Sequence, residues 1–318
     1  MSERPLRTSP DLVLGTVQLG LAYGIANRSG LPDEDLAEAL IRRALAGGVR
    51  VFDTARAYGA AEGRLGRALA ACPQDRGRSR IVVTKLSPLA DLAGDASPAA
   101  IGAAVEASVE ASCGALGVER LDCLLLHRAA HLDSHDGAVW MAMKALKSTG
   151  RAARIGVSVQ TPQEAVRALA EPELGHIQIP FNLFDWRWQE ARIPEALARR
   201  PEVTVHVRSL YLQGLIADAD AGLFARVMGP DAPRALAFLK AEVARTGRAS
   251  PADLALAYGR AQAWVHGLVV GAEALHQLED TLAAFAGPPL SQDDCARIDA
   301  TRPRLGEAVL NPALWEAR

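Results

Sequence analysis

Three stretches of the chain decide its fold: VFDTARAYG (51–59), IVVTKL (81–86) and LDCLLLHR (121–128). In each stretch, a run of aliphatic residues stops at or just before polar, titratable side chains, which are Asp53, Tyr58, Lys85 and His127. In a parallel α/β barrel, the carboxyl ends of the strands carry the chemistry. An acid, a phenol, an amine and an imidazole at those ends therefore predict a proton-transfer site.

Similar apolar runs recur along the whole chain. They are mostly apolar throughout rather than alternating, which is typical of strands buried on both faces of a parallel sheet. These runs predict eight strands: Leu12–Gly15, Arg50–Asp53, Ile81–Lys85, Asp122–Leu126, Arg154–Ser158, His176–Pro180, Thr204–Ser209 and Gly267–Gly271.

Helix signals separate the predicted strands. Pro32 and the pair Gly47-Gly48 bracket the first helix, and Thr161 to Glu164 has the pattern of a capping box. Eight strand–helix alternations predict an α/β fold, a closed (β/α)8 TIM barrel, with residues 1–318 forming a single domain. An open doubly wound sheet is the alternative, but the first strand is followed by LGTVQLG instead of a G-x-G-x-x-G fingerprint.

Composition and charge exclude several classes of protein. The 318 residues are 49% hydrophobic and carry a net charge of −2, with no basic stripe to predict nucleic-acid binding. We see no apolar run of about 18 residues, and the first ten residues lack the apolar core of a secretory signal. We therefore expect a cytoplasmic protein without a membrane partner. The four cysteines and the pair His131 and His135 lack the spacing of a metal site.

Lys85 is conspicuous because only 4 of the 35 basic residues are lysines. Arginine is always charged, whereas the pKa of a buried lysine shifts readily, so that a lysine can exchange protons with its neighbours. Such a lysine needs an anion beside it, and Asp53 is the candidate. The ammonium group of Lys85 would favour the phenolate of Tyr58, while His127 could donate a hydrogen bond to a substrate oxygen. Together these groups suit protonation of a carbonyl oxygen while a hydride arrives at its carbon.

The spacing of these residues resembles that of the aldo-keto reductases. The pattern D-x4-Y-G-x2-E at 53–62, then Thr84-Lys85, then Leu125-Leu126-His127, falls in the family's order, and the resemblance runs from Leu12 to beyond Gln277. It implies a (β/α)8 barrel that binds a nicotinamide cofactor without a Rossmann fold. It also implies NAD(P)H-dependent reduction of a small aldehyde, ketone or sugar carbonyl, or the reverse oxidation, with Tyr58 as general acid/base.

The resemblance also implies a set of cofactor-binding residues, with three departures from the family pattern. Val159 replaces an asparagine, Arg208 replaces an aromatic residue that stacks on nicotinamide, and Glu273 stands where a basic residue grips the 2′-phosphate of NADP. Both NADP(H) and NAD(H) therefore remain candidates. The implied cofactor residues are Thr16, Asp53, Ser158, Gln178, Arg208, Ser209, Leu210, Gly214, Gly271, Glu273 and Gln277.

Three aromatic residues follow the first and sixth predicted strands, at the reactive end of the barrel. Tyr23, Trp186 and Trp188 are the candidates for contact with a small-molecule carbonyl or sugar substrate. Two other functions stay open: a nicotinamide-binding regulatory or sensor barrel with little turnover, and an aldolase that forms a Schiff base on Lys85. The pattern does not specify the substrate, the direction of the reaction or the oligomeric state.

Overall fold

The computed structural model describes residues 10–72 and 79–315, in which eight parallel strands close into a barrel. Each strand pairs with its neighbours in chain order, and the last pairs with the first. This confirms the predicted (β/α)8 TIM barrel. The strands are β1 (Asp11–Gly15), β2 (Val51–Asp53), β3 (Ile81–Lys85), β4 (Cys123–Leu126), β5 (Ile155–Ser158), β6 (His176–Pro180), β7 (Thr204–Arg208) and β8 (Gly267–Gly271).

Helices follow the strands and form the outer layer. In chain order they are α1 (Glu34–Ala46), α2 (Ala61–Ala70), α3 (Pro98–Leu116), α4 (Ala138–Ser148), α5 (Pro162–Leu169), α6 (Arg187–Glu190), α7 (Ile193–Ala198), α8 (Leu215–Asp218), α9 (Ala221–Met228), α10 (Ala232–Thr246), α11 (Pro251–Arg260), α12 (Leu275–Ala286), α13 (Gln292–Thr301) and α14 (Glu307–Leu310).

Two separate apolar cores account for the apolar strands. A small cluster fills the inside of the barrel, and a much larger one lies between the strands and the helices. Because side chains alternate along a strand, residues two positions apart share a face. Asp53 and Lys85 are therefore on the same face of their strands as Val51 and Val83. The inner cluster consists of Val13, Val51, Val83, Cys123 and Leu125.

The observed boundaries differ from the predicted ones by a residue or two. Strand β7 ends at Arg208 because Ser209 has a left-handed backbone with φ of +62°. Helix α1 begins at Glu34, since the Asp33 side chain caps it by accepting from the Leu36 amide, and Pro32 lies outside it. The capping box at Thr161 is confirmed, with both reciprocal hydrogen bonds present.

One helix departs from the expectation that no apolar run of this chain is long enough to cross a membrane. Helix α3 is 19 residues long and apolar enough to cross a membrane by length and composition alone. A core helix of a soluble protein passes the same test, so a single such helix is weak evidence. In this fold α3 packs against α2 and α4 in the outer layer.

A pair of histidines lies inside the barrel wall on β6 and β7. The rings of His176 and His206 meet edge to face with their centroids 4.3 Å apart, and both side chains are buried. Within the described residues, neither ring nitrogen of His176 has a hydrogen-bond partner. Burial, followed by the nearby His206 and Arg154, holds the pKa of His176 well below its ordinary value. This imidazole is therefore neutral in the folded protein.

The neutral His176 predicts a loss of stability in mild acid. The unfolded chain binds a proton near the ordinary pKa of about 6.5, but the folded chain does not, so stability is retained above that pH and falls below it. We expect His176 to contribute about 2 kcal/mol of the loss in unfolding free energy between pH 7 and pH 5. Chemical denaturation at both pH values measures this.

Two variants isolate the contribution of His176. Replacing it in His176→Leu removes this titrating group and should make the dependence on pH less steep, while the contribution of His127, whose pKa is also lowered, remains. The matched control His276→Leu alters an exposed histidine on α12 and should leave the slope as it is. An equal slope in the wild type and in His176→Leu would show that His176 is not the source.

Candidate active site

A buried ion pair stands at the carboxyl ends of β2 and β3. The Nζ atom of Lys85 lies 2.7 Å and 2.9 Å from the two carboxylate oxygens of Asp53, and 3.0 Å from the carbonyl oxygen of Thr54. The Lys85 side chain is only 1% exposed. An ammonium group has three N–H donors, so all three have acceptors here. The pair predicted from the sequence is therefore formed.

The charged state of Lys85 follows from this pairing. Burial acts to lower the pKa of Lys85, but the Asp53 carboxylate and Tyr58 act in the opposite direction and prevail, so that the pKa lies above its ordinary value. The ammonium also lies 5.0 Å from the centroid of the Tyr58 ring. At that distance a cation interacts with an aromatic face. Lys85 thus presents a positive charge to Tyr58 while its hydrogen bonds go elsewhere.

Two glycines hold the Tyr58 loop in position. A Cβ atom at Gly20 would come within 1.8 Å of the Tyr58 carbonyl oxygen, and Gly59 has φ of +55° with its Cβ position 2.5 Å from the Gly20 carbonyl oxygen. Only glycine allows this approach of the loops after β1 and β2. The glycine of the Tyr-Gly motif is therefore a backbone requirement for placing the phenol beside Lys85.

His127 completes the group directly after β4. Its ring meets the Tyr58 ring edge to face, with centroids 5.7 Å apart. Burial lowers the pKa of His127 to about 3, and the positive charges of Lys85, Arg208 and Arg128 act in the same direction. The imidazole is therefore neutral near pH 7. Its Nδ1 atom is buried without a partner among the described residues.

The glutamate of the sequence motif supports the site from behind. Glu62 is fully buried, accepts a 2.6 Å hydrogen bond from the Thr84 hydroxyl and pairs with Arg56 at 2.6 Å. Thr84 precedes Lys85, so Glu62 ties α2 to the end of β3. The sequence showed Glu62 in the motif but gave no role for it, because its partner lies on another element.

An open groove of about 1730 Å³ runs across this end of the barrel. Tyr58 and His127 lie at one part of it, and Glu273 and Gln277 at another. Most residues predicted from the sequence therefore share one cavity. The predicted residues lining it are Thr16, Tyr23, Asp53, Tyr58, His127, Ser158, Arg208, Ser209, Leu210, Gly214, Gly271, Glu273 and Gln277.

Gln178 lies behind the groove instead of lining it. It is fully buried, and its side-chain nitrogen donates a 2.6 Å hydrogen bond to Asp53. The Ser158 hydroxyl, which does line the groove, lies 3.5 Å from the side-chain oxygen of Gln178. A carboxylate is a stronger acceptor than a neutral amide. Gln178 therefore helps Lys85 to hold the Asp53 carboxylate, a contact that was not predicted from the sequence.

Arg208 is fixed at the end of β7 by the loop that follows β5. One of its terminal nitrogens donates to the Val159 carbonyl oxygen at 3.1 Å and to the side chain of Gln160, and the other to the Ser209 hydroxyl. Gln160 in turn donates to Asn311 near the carboxyl end of the chain. This network was not predicted, since it joins three segments of the chain that are separated by 48 or more residues.

The two tryptophans after β6 do not line the groove, which corrects their predicted contact with substrate. Trp188 is completely buried, and its indole donates to Asp185, which also forms a buried ion pair with Arg187. Trp186 donates to the Leu305 carbonyl oxygen and lies beneath the guanidinium of Arg304 at 3.8 Å. Trp186 thus packs against the carboxyl-terminal segment, while Trp188 lies in the core of its own loop.

Tyr23 does line the groove, and burial is the main cause that raises its pKa. Across residues 10–72 and 79–315, no three His, Cys, Asp or Glu side chains are grouped to hold a metal ion.

Glu273 occupies the far part of the groove. Its side chain is largely buried, and Gln277 both accepts from the Glu273 amide at 2.9 Å and donates to the Glu273 carboxylate at 3.4 Å. Arg248 lines the same groove but pairs with Asp253 at 3.5 Å and donates to the Pro288 carbonyl oxygen. The local cation is therefore already paired with a carboxylate.

The fold and the site together define a barrel oxidoreductase. The profile of the aldo/keto reductase family matches residues 11–303, and the chain belongs to that family. This confirms the resemblance inferred from the sequence. A search of the curated proteins found no significant relative.

Solved structures show the same fold. AKR11C1 from Bacillus halodurans, an aldo-keto reductase in its holo form, is 23% identical with a TM-score of 0.71, and the match covers 96% of this chain and 97% of that one. The protein PA4992 from Pseudomonas aeruginosa, also described as an aldo-keto reductase, is 24% identical with a TM-score of 0.58, covering 89% and 93%. At these identities the likeness establishes the fold.

The buried pair predicts a strong dependence of stability on both partners. Asp53→Leu leaves Lys85 buried without an anion and should lower the unfolding free energy by about 3–5 kcal/mol. In the double variant Asp53→Leu/Lys85→Met no charge is left, so most of this loss should be recovered. Urea denaturation of the two variants and of the wild type measures the effect. A loss below about 1 kcal/mol in Asp53→Leu would contradict the pairing.

Proposed function

We propose that this protein is an NAD(P)H-dependent reductase of a small aldehyde, ketone or sugar carbonyl, with Tyr58 as the general acid/base. The observation that carries the proposal is the Lys85 ammonium, held by Asp53 and Thr54 at 5.0 Å from the Tyr58 ring. A fixed charge at this position has no value for packing, but it stabilises the negative charge that develops on the phenol oxygen when its proton leaves.

In the proposed reaction each residue handles a proton or an orientation. Tyr58 donates its proton to the carbonyl oxygen, and Lys85 stabilises the oxygen that remains on the ring. The neutral imidazole of His127 donates a hydrogen bond to the same carbonyl oxygen and polarises it. Asp53 holds Lys85 in place, and Gln178 in turn holds Asp53. In the reverse direction Tyr58 takes the proton back from the alcohol.

The wall of the groove offers polar groups to a nicotinamide cofactor. A Cβ atom at Gly271 would lie 2.1 Å from the side-chain oxygen of Gln18, and at Gly214 it would lie 2.7 Å from Ala26, so glycine allows the segment after β1 to pack closely against both places. That Gln18 oxygen is buried and has no partner in the described part of the chain. When bound, the nicotinamide supplies the hydride or accepts it. Ser158 would hold its carboxamide, and Ser209, Leu210 and Gly214 its pyrophosphate.

The remaining predicted contacts are proposed on the same basis. Thr16 lines the groove and would border the cofactor. Its hydroxyl donates to the Asp53 carbonyl oxygen at 3.0 Å, so Thr16 also supports the end of β2. Tyr23 borders the substrate. The holo state of the Bacillus halodurans relative supports a bound nucleotide in this fold. We further propose that the chain acts as one barrel domain in the cytoplasm.

The charge at Glu273 favours NADH over NADPH. A carboxylate at this place repels a 2′-phosphate, while it can accept a hydrogen bond from a ribose hydroxyl. Asp280 lines the same part of the groove, and Arg248 is already paired with Asp253. We therefore propose NADH, one of the two candidates that the sequence leaves open, as the preferred cofactor of this chain.

Removing the phenol hydroxyl tests the proposed mechanism. Tyr58→Phe should lower kcat for aldehyde reduction by about 10²–10⁴-fold, because the proton donor is lost. Its affinity for NADH should stay near that of the wild type, since the ring remains. Turnover is followed by nicotinamide absorbance and affinity by fluorescence titration. Tyr23→Phe is the comparison, as it removes a second hydroxyl from the same groove. If Tyr58→Phe retains the wild-type rate, the mechanism is wrong.

The preference for NADH over NADPH is tested by measuring the affinity of the protein for each cofactor, without measuring activity. The wild type should bind NADH at least about tenfold more tightly than NADPH, and Glu273→Arg should reverse the order, because the 2′-phosphate then gains a cation. The matched control Glu279→Arg makes the same charge change at an exposed position of α12 outside the lining of the groove. Tighter NADPH binding by the unmodified protein would refute the charge argument.

A further inference from the structure

Two arginines at the reactive part of the groove have no carboxylate partner. Arg128 directly follows His127, is exposed and lines the groove, and among the described residues its side chain has neither a hydrogen bond nor an ion pair. Arg208 is held by neutral acceptors only, the Val159 carbonyl oxygen and the side chains of Gln160 and Ser209. The three hydrogen bonds use three of its five N–H donors.

The other charges near this mouth are accounted for. Arg28 pairs with Asp218 at 2.8 Å, and Asp53 is neutralised by Lys85. Glu164 also lines the groove, but one of its oxygens accepts the amides of Gln160 and Thr161 in the capping box of α5. A carboxylate at the first turn of a helix is also stabilised by the helix dipole. Glu164 has no cation partner among the described residues either, but Arg128 and Arg208 outnumber it, so the charge left without an ionic partner at the mouth is positive overall.

This surplus contrasts with the charge of the chain as a whole. The protein as a whole carries a net charge of −2, and most of its described arginines at other sites pair with Asp or Glu. The positive charge of both arginines also affects the imidazole of His127, because both act to lower its pKa. A neutral carbonyl compound would leave the guanidinium of Arg128 with no partner but water.

We propose that the substrate carries an oxyanion, a carboxylate or a phosphate, within reach of the reacting carbonyl, and that Arg128 binds it while Arg208 adds positive potential from across the barrel mouth. This rests on the proposed reductase function and narrows its substrate class to acidic oxo compounds and sugar phosphates. Guanidinium groups suit both anions, because their parallel N–H donors match two oxygens at once.

Paired substrates that differ only in the anion test this class. The first pair is succinic semialdehyde and its neutral methyl ester, and the second is glyceraldehyde 3-phosphate and glyceraldehyde. We expect kcat/KM to be at least about tenfold higher for the acidic member of one pair, and the pair that shows it distinguishes carboxylate from phosphate. The preference should shrink as salt rises, because charge pairs at an exposed site are screened.

For each pair, kcat/KM for the acidic substrate is divided by kcat/KM for its neutral partner. Arg128→Gln should lower this ratio about tenfold, chiefly by raising KM for the acidic substrate. The matched control is Arg120→Gln, which removes the same charge from an exposed arginine near the opposite end of β4. It should keep the wild-type ratio. Thermal melting of both variants shows that they are folded.

The outcomes separate the two proposals. If neutral aldehydes are reduced as well as their acidic partners, the oxyanion proposal falls and the reductase function stands. The proposal also falls if Arg120→Gln changes the ratio as much as Arg128→Gln does. If no carbonyl compound of either pair is reduced while NADH is bound, the reductase function fails, and the substrate class fails with it.

Discussion

The ion pair between Lys85 and Asp53 is the interaction on which the rest of the site depends. A charged amine deep in a barrel wall costs free energy unless its charge and its donors are matched. Here two carboxylate oxygens and one carbonyl oxygen match them, and Gln178 supports the carboxylate from β6. Four neighbouring features, the ends of β2, β3 and β6 and the Tyr58 loop, are therefore set by one charge.

The loops at this end of the barrel position Tyr58 and His127 close to the Lys85 ammonium. Gly20 and Gly59 bring two loops together so closely that Tyr58 lies over the ammonium, and β4 delivers His127 to the edge of its ring. Burial, with the surrounding cations, then keeps the imidazole neutral and able to donate or accept. The barrel itself brings these positions together, because adjacent parallel strands all end on the same side.

The prediction from sequence succeeded where the physics was local or periodic. Apolar runs predicted all eight strands, and the structure brings together Asp53, Tyr58, Lys85 and His127, which stand at or after the ends of those runs. It failed where burial, or a partner far along the chain, decides what a side chain contacts. Trp188 looked like a pocket residue because it follows a strand, but its indole is bound by Asp185 inside the core. Gln178 was predicted to face a ligand, but its partner is Asp53, 125 residues away.

The sequence by itself determined the (β/α)8 architecture, the order of the titratable strand ends and the family. It could do so because side-chain period, strand length and glycine placement are properties of short segments. Only the tertiary structure decided which charges are neutralised. It paired Arg248 with Asp253 and Lys85 with Asp53, and left Arg128 and Arg208 without a carboxylate. Those outcomes depend on distances across the barrel mouth, which no local pattern encodes.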